Sequence, residues 1–148
     1  MDSRLRVVVA AAAVGAVLLA GGSAMAGTGG PAGSLSRHTW GTAIEVPGIA
    51  ALNQGGNAEI GSVSCATPGN CGAGGYYTDS AGHRQAFVVS QANGAWHTAI
   101  EVPGTAALDQ GGTAEIGSVS CATPGNCSAG GYYEVGSSNI QAFVVSER

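Results

Sequence analysis

A ten-residue string, SVSCATPGNC, occurs twice in this chain, at residues 62–71 and again at residues 118–127. The repetition extends to both sides of the string. Residues 40–90 align with residues 96–146 without a gap, and 39 of the 51 aligned pairs are identical. Self-similarity of this kind predicts that one supersecondary unit is built twice. We therefore expect a two-repeat β domain at residues 40–148, with repeats 40–90 and 96–146.

The differences between the two copies are clustered. Seven of the 12 differing pairs form one continuous segment, 78–84 in the first copy and 134–140 in the second. Complete divergence between identical flanks is typical of an exposed loop. We favour neutral drift as the cause of this divergence; the alternative is a surface that varies for recognition.

Each repeat has the pattern of four short strands, bounded by Gly, Pro, Asn or Ser and enriched in Val, Ile, Tyr and Phe. In the second repeat the expected strands are 96–102, 114–121, 127–133 and 141–146. Beyond the first 26 residues no segment has helical periodicity over three turns. The expected fold class is all-β: two tandem four-stranded antiparallel repeats, offset by 56 residues, that follow an N-terminal signal helix.

Antiparallel four-stranded meanders repeated at this period are typical of propeller blades. The chain holds one whole meander at 58–102, a lone fourth strand at 40–46, and a three-stranded unit at 114–146 that lacks its fourth strand. Two blades leave open edges, so we expect a head-to-tail homo-oligomer, for example three chains in a six-bladed ring. A monomeric two-repeat sandwich or barrel and a remnant of a longer array are the alternatives.

The string SVSCATPGNCxAGGYY, followed by QAFVVS and GxWxxAIEVPG, resembles secreted actinobacterial repeat proteins. Units of that family carry a cysteine-bracketed hairpin and a Trp-containing strand. The resemblance covers residues 40–146. It implies a propeller-like architecture and export. It implies no catalytic residue, because the family has no established activity.

The first 26 residues have the pattern of a secretory signal peptide. Arg4 and Arg6 precede an apolar run at 7–20, and Ala24-Met25-Ala26 forms an A-x-A site. The run is shorter than the roughly 20 residues that span a bilayer. We expect cleavage after Ala26 and secretion, with a flexible Gly/Ser/Pro linker at residues 27–39.

The four cysteines are expected to pair within each repeat, Cys65 with Cys71 and Cys121 with Cys127. Export favours oxidised thiols, and each pair brackets a Pro-Gly dipeptide that fits a type II turn. A four-thiolate zinc site is the alternative, which the five-residue gaps between cysteines disfavour.

The charged residues give no catalytic signature. The chain has a net charge of −4 and no lysine, which argues against nucleic acid as a partner, because a phosphate backbone is held by clustered Lys and Arg. The repeated glutamates, Glu45/Glu101 and Glu59/Glu115, have apolar neighbours as strand-surface residues do. A glycosidase-like pair would need them brought together in space. We expect no catalytic residue, no metal site and no cofactor.

Every aromatic residue occurs in both repeats. Adjacent tyrosines in a strand point to opposite faces, so one of each pair is expected in the core and the other exposed. Exposed rings could stack on sugars, while rings that fill the core are the alternative. The candidate ligand-binding residues are Trp40, Tyr76, Tyr77, Trp96, Tyr132 and Tyr133. The expected function is a secreted non-catalytic binding or scaffold module for a carbohydrate or a cell-surface protein. The alternative is a fragment or accessory domain of a secreted glycoside hydrolase.

Overall fold

A computed structural model of the chain describes residues 39–148. Residues Gly41–Arg148 form one compact unit. Strands make up most of this unit, so the all-β prediction is confirmed. The expected signal peptide and nearly all of the expected linker lie outside the described residues.

The first repeat forms an antiparallel sheet, here called sheet A. Strands β1, β2, β3 and β4 follow one another as a meander, and β5 also pairs with β3. The strands are β1 (Ala58–Thr67), β2 (Asn70–Thr78), β3 (Arg84–Ala92), β4 (Ala95–Trp96) and β5 (Ile100–Glu101). The expected strand at 96–102 is thus divided, and its two parts pair in turn with the outer edge of β3.

The second repeat forms a three-stranded antiparallel sheet, here called sheet B. It consists of β6 (Ala114–Thr123), β7 (Asn126–Val135) and β8 (Asn139–Ser146), in that order. Its first hairpin repeats the register of sheet A, with Cys121 opposite Cys127 as Cys65 is opposite Cys71. The expected three-stranded unit at the end of the chain is therefore present.

Both cysteine pairs are disulfides, as expected, and none of the cysteines is free. Gly69 and Gly125 have φ values of 77° and 74°, which a type II turn requires at its third position. Disulfides persist in oxidising surroundings, so these bridges indicate an extracellular environment.

Two one-turn helices join the elements, α1 (Ile49–Leu52) and α2 (Thr105–Leu108). Each begins after a glycine with a positive φ, Gly48 or Gly104. Four residues are too few for a periodic sequence signal, so the sequence did not predict them. The expected strand at 40–46 is not formed within the single chain, since these residues pair with no strand among residues 39–148. The reason is that an extended segment becomes a strand only beside a partner edge.

The two faces of sheet A pack against different neighbours. One face holds Tyr77, Phe87 and Val89, which form a core with Ile49 of α1. The opposite face holds Ala86 and Val88, which pack against sheet B.

Sheets A and B pack face to face through an apolar core. Ala86 and Val102 from the first repeat meet Ala114, Ile116 and Ala129 of sheet B. Ala86, Ala114 and Ile116 are fully buried. Burying this surface contributes roughly 25 cal/mol per Å² of apolar area, and both repeats lie in one compact unit.

The first strands of the two sheets also make polar contacts. The backbone N–H groups of Val119 and Cys121 in β6 donate to the hydroxyls of Ser62 and Ser64 in β1, at 3.0 and 3.1 Å. Small residues allow this approach. A Cβ placed on Gly74 would lie 2.9 Å from the side chain of Ile116, which is closer than packed atoms tolerate.

Candidate functional site

In the first repeat, the two tyrosines predicted to bind a ligand are buried by other residues of the chain. Tyr76 and Tyr77 point to opposite faces, but both rings are buried, with 8% and 3% exposure. The Tyr77 hydroxyl donates to Glu101 at 3.0 Å. Burial, and then the neighbouring Glu101 carboxylate, raise the pKa of Tyr77. Neither ring offers a free face to a sugar.

Tyr76 belongs to a polar cluster between the repeats. The guanidinium of Arg84 lies 3.9 Å from the centre of the Tyr76 ring and donates to Glu115 at 3.1 Å. The Tyr132 hydroxyl donates to the same carboxylate oxygen. Burial and Glu115 together raise the pKa of Tyr132. The cluster links β3 to β6 and β7, and each charge in it has a partner.

The remaining predicted aromatic residues differ in exposure. Tyr133 and Trp96 are half-buried, and each packs against one of the cores. Trp40 is fully exposed. The structure therefore does not bring the six aromatic residues together into one binding surface.

The divergent loop of the first repeat is organised by Asp79. Its carboxylate accepts the backbone N–H groups of Ala81 and His83, at 2.8 and 2.9 Å. Burial of the Asp79 carboxyl opposes its ionisation, but the hydrogen bonds from His83 and Ala81 prevail and lower its pKa. In the second repeat Val135 stands at the same position, and the loop contracts to residues 136–138 because β7 and β8 continue further.

A cleft of about 300 Å³ lies between the sheets. Its walls include Val88, Ile100 and Val145, and Ser90 donates to Glu147 at 2.6 Å on its lining. A volume of this size is at the lower limit for small-molecule sites. Within residues 39–148, no group of three or more His, Cys, Asp or Glu side chains is arranged to hold a metal ion.

The sharpest asymmetry between the repeats lies at the outer edge of their third strands. In sheet A, β3 carries β4 and β5, and the N–H of Val102 donates to the carbonyl of Ala86 at 3.0 Å. In sheet B, β8 has the same QAFVVS sequence, yet among the described residues it pairs only with β7. The outward N–H and C=O groups of β8 are therefore open to a further strand.

The same asymmetry holds for side chains. Ala86 is fully buried against sheet B, whereas its counterpart Ala142 is exposed. Val88 is half-buried, whereas its counterpart Val144 is 87% exposed. The outward edge and face of β8, centred on Ala142 and Val144, are here called the β8 surface. Sequence reasoning placed the candidate site on the tyrosines and missed this surface, although the three-stranded unit expected at 114–146 was its signal.

Sheet A presents the complementary surface on its other side. Ile116 is fully buried where sheet B meets sheet A, whereas its counterpart Ile60 is 45% exposed. Ala114 is fully buried and its counterpart Ala58 is exposed. The exposed patch of Ala58 and Ile60 is here called the β1 surface.

In the part of the chain that the structure describes, no helix is long and apolar enough to cross a membrane. No protein-family model matches the chain, and no curated protein or solved structure is similar to it at the level that defines a match.

Proposed function

We propose that the protein is a secreted, non-catalytic binding and scaffold module, which holds a protein partner by accepting an extended segment at the β8 surface. One observation carries this proposal. Residues 85–90 of β3 and 141–146 of β8 have the same sequence, but β3 pairs with strands on both sides and β8 on one side among the described residues. A sheet edge with open N–H and C=O groups recognises an extended peptide through main-chain hydrogen bonds.

The arrangement of the two sheets supports a propeller-like scaffold. Each repeat is a meander, the sheets pack face to face, and their first strands contact each other through Ser62 and Ser64. These are features of neighbouring propeller blades. Secretion is supported by the expected signal peptide at 1–26 and by the two disulfides.

The non-catalytic part of the proposal is supported by the use of the glutamates. Glu59 accepts from Tyr76, Glu101 from Tyr77, and Glu115 from Tyr132 and Arg84. Glu59 and Glu101 thus join strands within sheet A, and Glu115 joins sheet B to Arg84 of sheet A. A general acid or base must instead reach a substrate proton.

The test is the binding of a fluorescent peptide, AWHTAIEVPG, which has the sequence of residues 95–104. It contains the strand that pairs with β3. We expect saturable binding to the chain that begins at Pro47, which lacks residues 41–46 and their copy of the TAIEV sequence, and no binding of a scrambled peptide.

A matched pair of variants at Val144 locates the site. The carbonyls of Ala86 and Ser90 accept from the outer strands, so Val88, which lies between them, also points its N–H and C=O outward. Val144 is the counterpart of Val88, so its N–H points to the open edge of β8. Val144→Pro removes that N–H without touching the pairing with β7, and should weaken peptide binding about tenfold or more. Val144→Thr keeps the N–H and should bind as the parent protein does.

Three outcomes would overturn the proposal. They are equal binding by both Val144 variants, absence of peptide binding together with co-sedimentation on insoluble cell-wall glycan, and turnover of a chromogenic glycoside. The second would favour a glycan-binding module, and the third the glycoside hydrolase alternative.

A further inference from the structure

The chain contains a donor strand as well as an acceptor edge. Residues 41–46, here called the N-terminal arm, read GTAIEV, and residues 97–102, which include β5, read HTAIEV. Ile44 in the arm is 67% exposed. We propose that the arm of one copy adds to β8 of a second copy, so that chains join head to tail. This inference rests on the strand-accepting β8 surface proposed above.

The register of the added strand follows from sheet A. There, Val88 is opposite Ile100 and Phe87 is opposite Glu101. Adding the repeat offset of 56 residues to the β3 positions gives β8, and subtracting it from the β5 positions gives the arm. This places Ile44 of the arm opposite Val144, and Glu45 opposite Phe143. The N–H of Val46 then donates to the carbonyl of Ala142, as that of Val102 donates to Ala86.

The register also supplies a partner for Tyr133. In sheet A the Tyr77 hydroxyl donates to Glu101. Tyr133 is the counterpart of Tyr77, and its hydroxyl forms no hydrogen bond within residues 39–148. Glu45 of an incoming arm would take the place of Glu101. The incoming arm would cover the Tyr133 hydroxyl and at the same time give it the hydrogen-bond partner that a buried polar group requires.

The arm cannot serve its own β8, because sheet A lies between them. The arm is followed by Pro47, whose carbonyl accepts from the N–H of Ala99 at 2.8 Å. Ile49 follows and packs with Phe87, on the face of sheet A that points away from sheet B. The outer edge of β3 that the arm would have to pass is already occupied by β4 and β5. A second copy meets the arm without this obstacle.

The faces that would meet between copies repeat the contact already present within the chain. Ala142 and Val144 of the β8 surface would cover Ala58 and Ile60 of the β1 surface, as Ala86 and Val88 cover Ala114 and Ile116. The occupant is thus a second copy, since one chain presents both halves of an interface it already forms once. Such a head-to-tail contact is heterologous, and it closes into a ring when the rotation from one copy to the next divides a full turn.

Two substitutions make the contact between copies weaker than the internal one. The internal contact has an ion pair between Arg84 and Glu115. In the contact between copies, the counterparts are Ile140 and Glu59, which form no ion pair. Ser128 replaces Gly72, where a Cβ would lie 3.1 Å from the sulfur of Cys127 in the internal contact. The double variant Ser128→Gly/Ile140→Arg restores the internal residues, and should lower the dissociation constant between copies about tenfold.

The experiment measures mass in solution by light scattering, with the chain that begins at Gly27. Closed propellers hold about four to eight blades, so at two blades per chain we expect a single species of two to four copies. A variant that begins at Pro47 has an acceptor but no arm. Val144→Pro has an arm but a blocked acceptor. Each variant alone should be monomeric, with the circular dichroism of the parent chain.

Mixing the two variants distinguishes loss of the contact from misfolding, because misfolded chains would not form a defined heterodimer. One arm and one intact β8 remain in the mixture, so a 1:1 heterodimer should form and nothing larger. Ala81→Lys, which adds a charge to the exposed loop between β2 and β3, is the control and should assemble as the parent chain does.

The outcomes separate this inference from the proposed function. A parent chain that stays monomeric while it binds the AWHTAIEVPG peptide would overturn self-assembly and leave strand acceptance standing. A parent chain that neither assembles nor binds the peptide would overturn both. An assembly that survives removal of the arm would also overturn the inference, since another surface would then hold the copies together.

Discussion

Gly75 and Gly131 occupy positions where β2 and β7 pass beside the irregular step in β1 and β6. A Cβ on Gly75 would overlap the carbonyl oxygen of Glu59, and a Cβ on Gly131 would overlap that of Glu115. Neither strand can withdraw without losing its register. We expect Gly75→Ala and Gly131→Ala each to lower the free energy of unfolding by about 2–3 kcal/mol, as overpacking does.

A third glycine provides the control for these variants. The nearest heavy atom to a Cβ on Gly117 would be 4.0 Å away. Gly117→Ala should change the free energy of unfolding by less than about 0.5 kcal/mol. Chemical denaturation of the three variants measures both effects. Equal losses at all three positions would show that the close approach of the strands is not the cause.

Tyr77 should make stability depend on pH in the alkaline range. Burial, and then Glu101, raise the pKa of Tyr77 in the folded chain. A raised pKa gives stability that is fully present below the unfolded value of about 10 and is lost as pH rises above it. Tyr77→Phe should cost about 1–2 kcal/mol at neutral pH by removing the hydrogen bond, and should flatten the decline in stability above about pH 10.

Tyr133→Phe is the matched comparison. Its hydroxyl has no partner among the described residues of a single chain, so this variant should be close to neutral in dilute solution. Thermal or denaturant unfolding at pH 7 and at pH 10.5 compares the two variants. A Tyr77→Phe variant with the alkaline profile of the parent chain would contradict the assignment to this tyrosine.

The two cysteine-bracketed hairpins are the same element in different surroundings. Closing a loop of this size contributes about 2–2.5 kcal/mol by the chain-entropy estimate. The bridge between Cys121 and Cys127 also packs over Gly72 of the other sheet. We expect each double variant, Cys65→Ala/Cys71→Ala and Cys121→Ala/Cys127→Ala, to cost about 2–3 kcal/mol, because each loses its loop closure and also packing, at the buried Cys71 in the first bridge and over Gly72 in the second. Guanidinium unfolding would measure both costs, and a loss below about 1 kcal/mol for either variant would contradict the expectation.

These hairpins also show how far the sequence determines the elements. Cysteine spacing and the Pro-Gly turn are local signals, so the disulfides and strands β1, β2, β6 and β7 follow from the sequence. Helices α1 and α2 have one turn each and leave no periodic signal. The 40–46 segment has strand-forming residues, but its pairing depends on a partner that local sequence does not specify.

The β8 surface illustrates the same limit at the level of the site. The three-stranded unit at 114–146 was expected from the sequence, yet the difference between the exposed Val144 and the half-buried Val88 is a tertiary property. Identical residues in identical local sequence thus differ because of what packs beside them. Aromatic content pointed instead to the tyrosines, which serve as core and as hydrogen-bond donors to glutamates.

At the scale of the whole molecule, the duplication allows the same substitution to be compared at a buried and an exposed copy of one residue. Ile116 and Ile60 have identical neighbours in sequence, but Ile116 is fully buried between the sheets and Ile60 is 45% exposed. In a single chain, Ile116→Ala should cost about 3–4 kcal/mol, in the range for a buried Ile, and Ile60→Ala about 1 kcal/mol. Both variants should unfold in one transition, because the core between the sheets joins the repeats.

Protein concentration should change this comparison if copies join head to tail. Ile60 would then be covered by the β8 surface of a neighbour, so the cost of Ile60→Ala should rise with concentration while that of Ile116→Ala stays constant. Unfolding followed at two concentrations a hundredfold apart would measure the shift. The chain that begins at Pro47 is the control, since without the arm the cost of Ile60→Ala should be the same at both concentrations. A concentration-independent cost in the full chain would mean that Ile60 remains at a free surface.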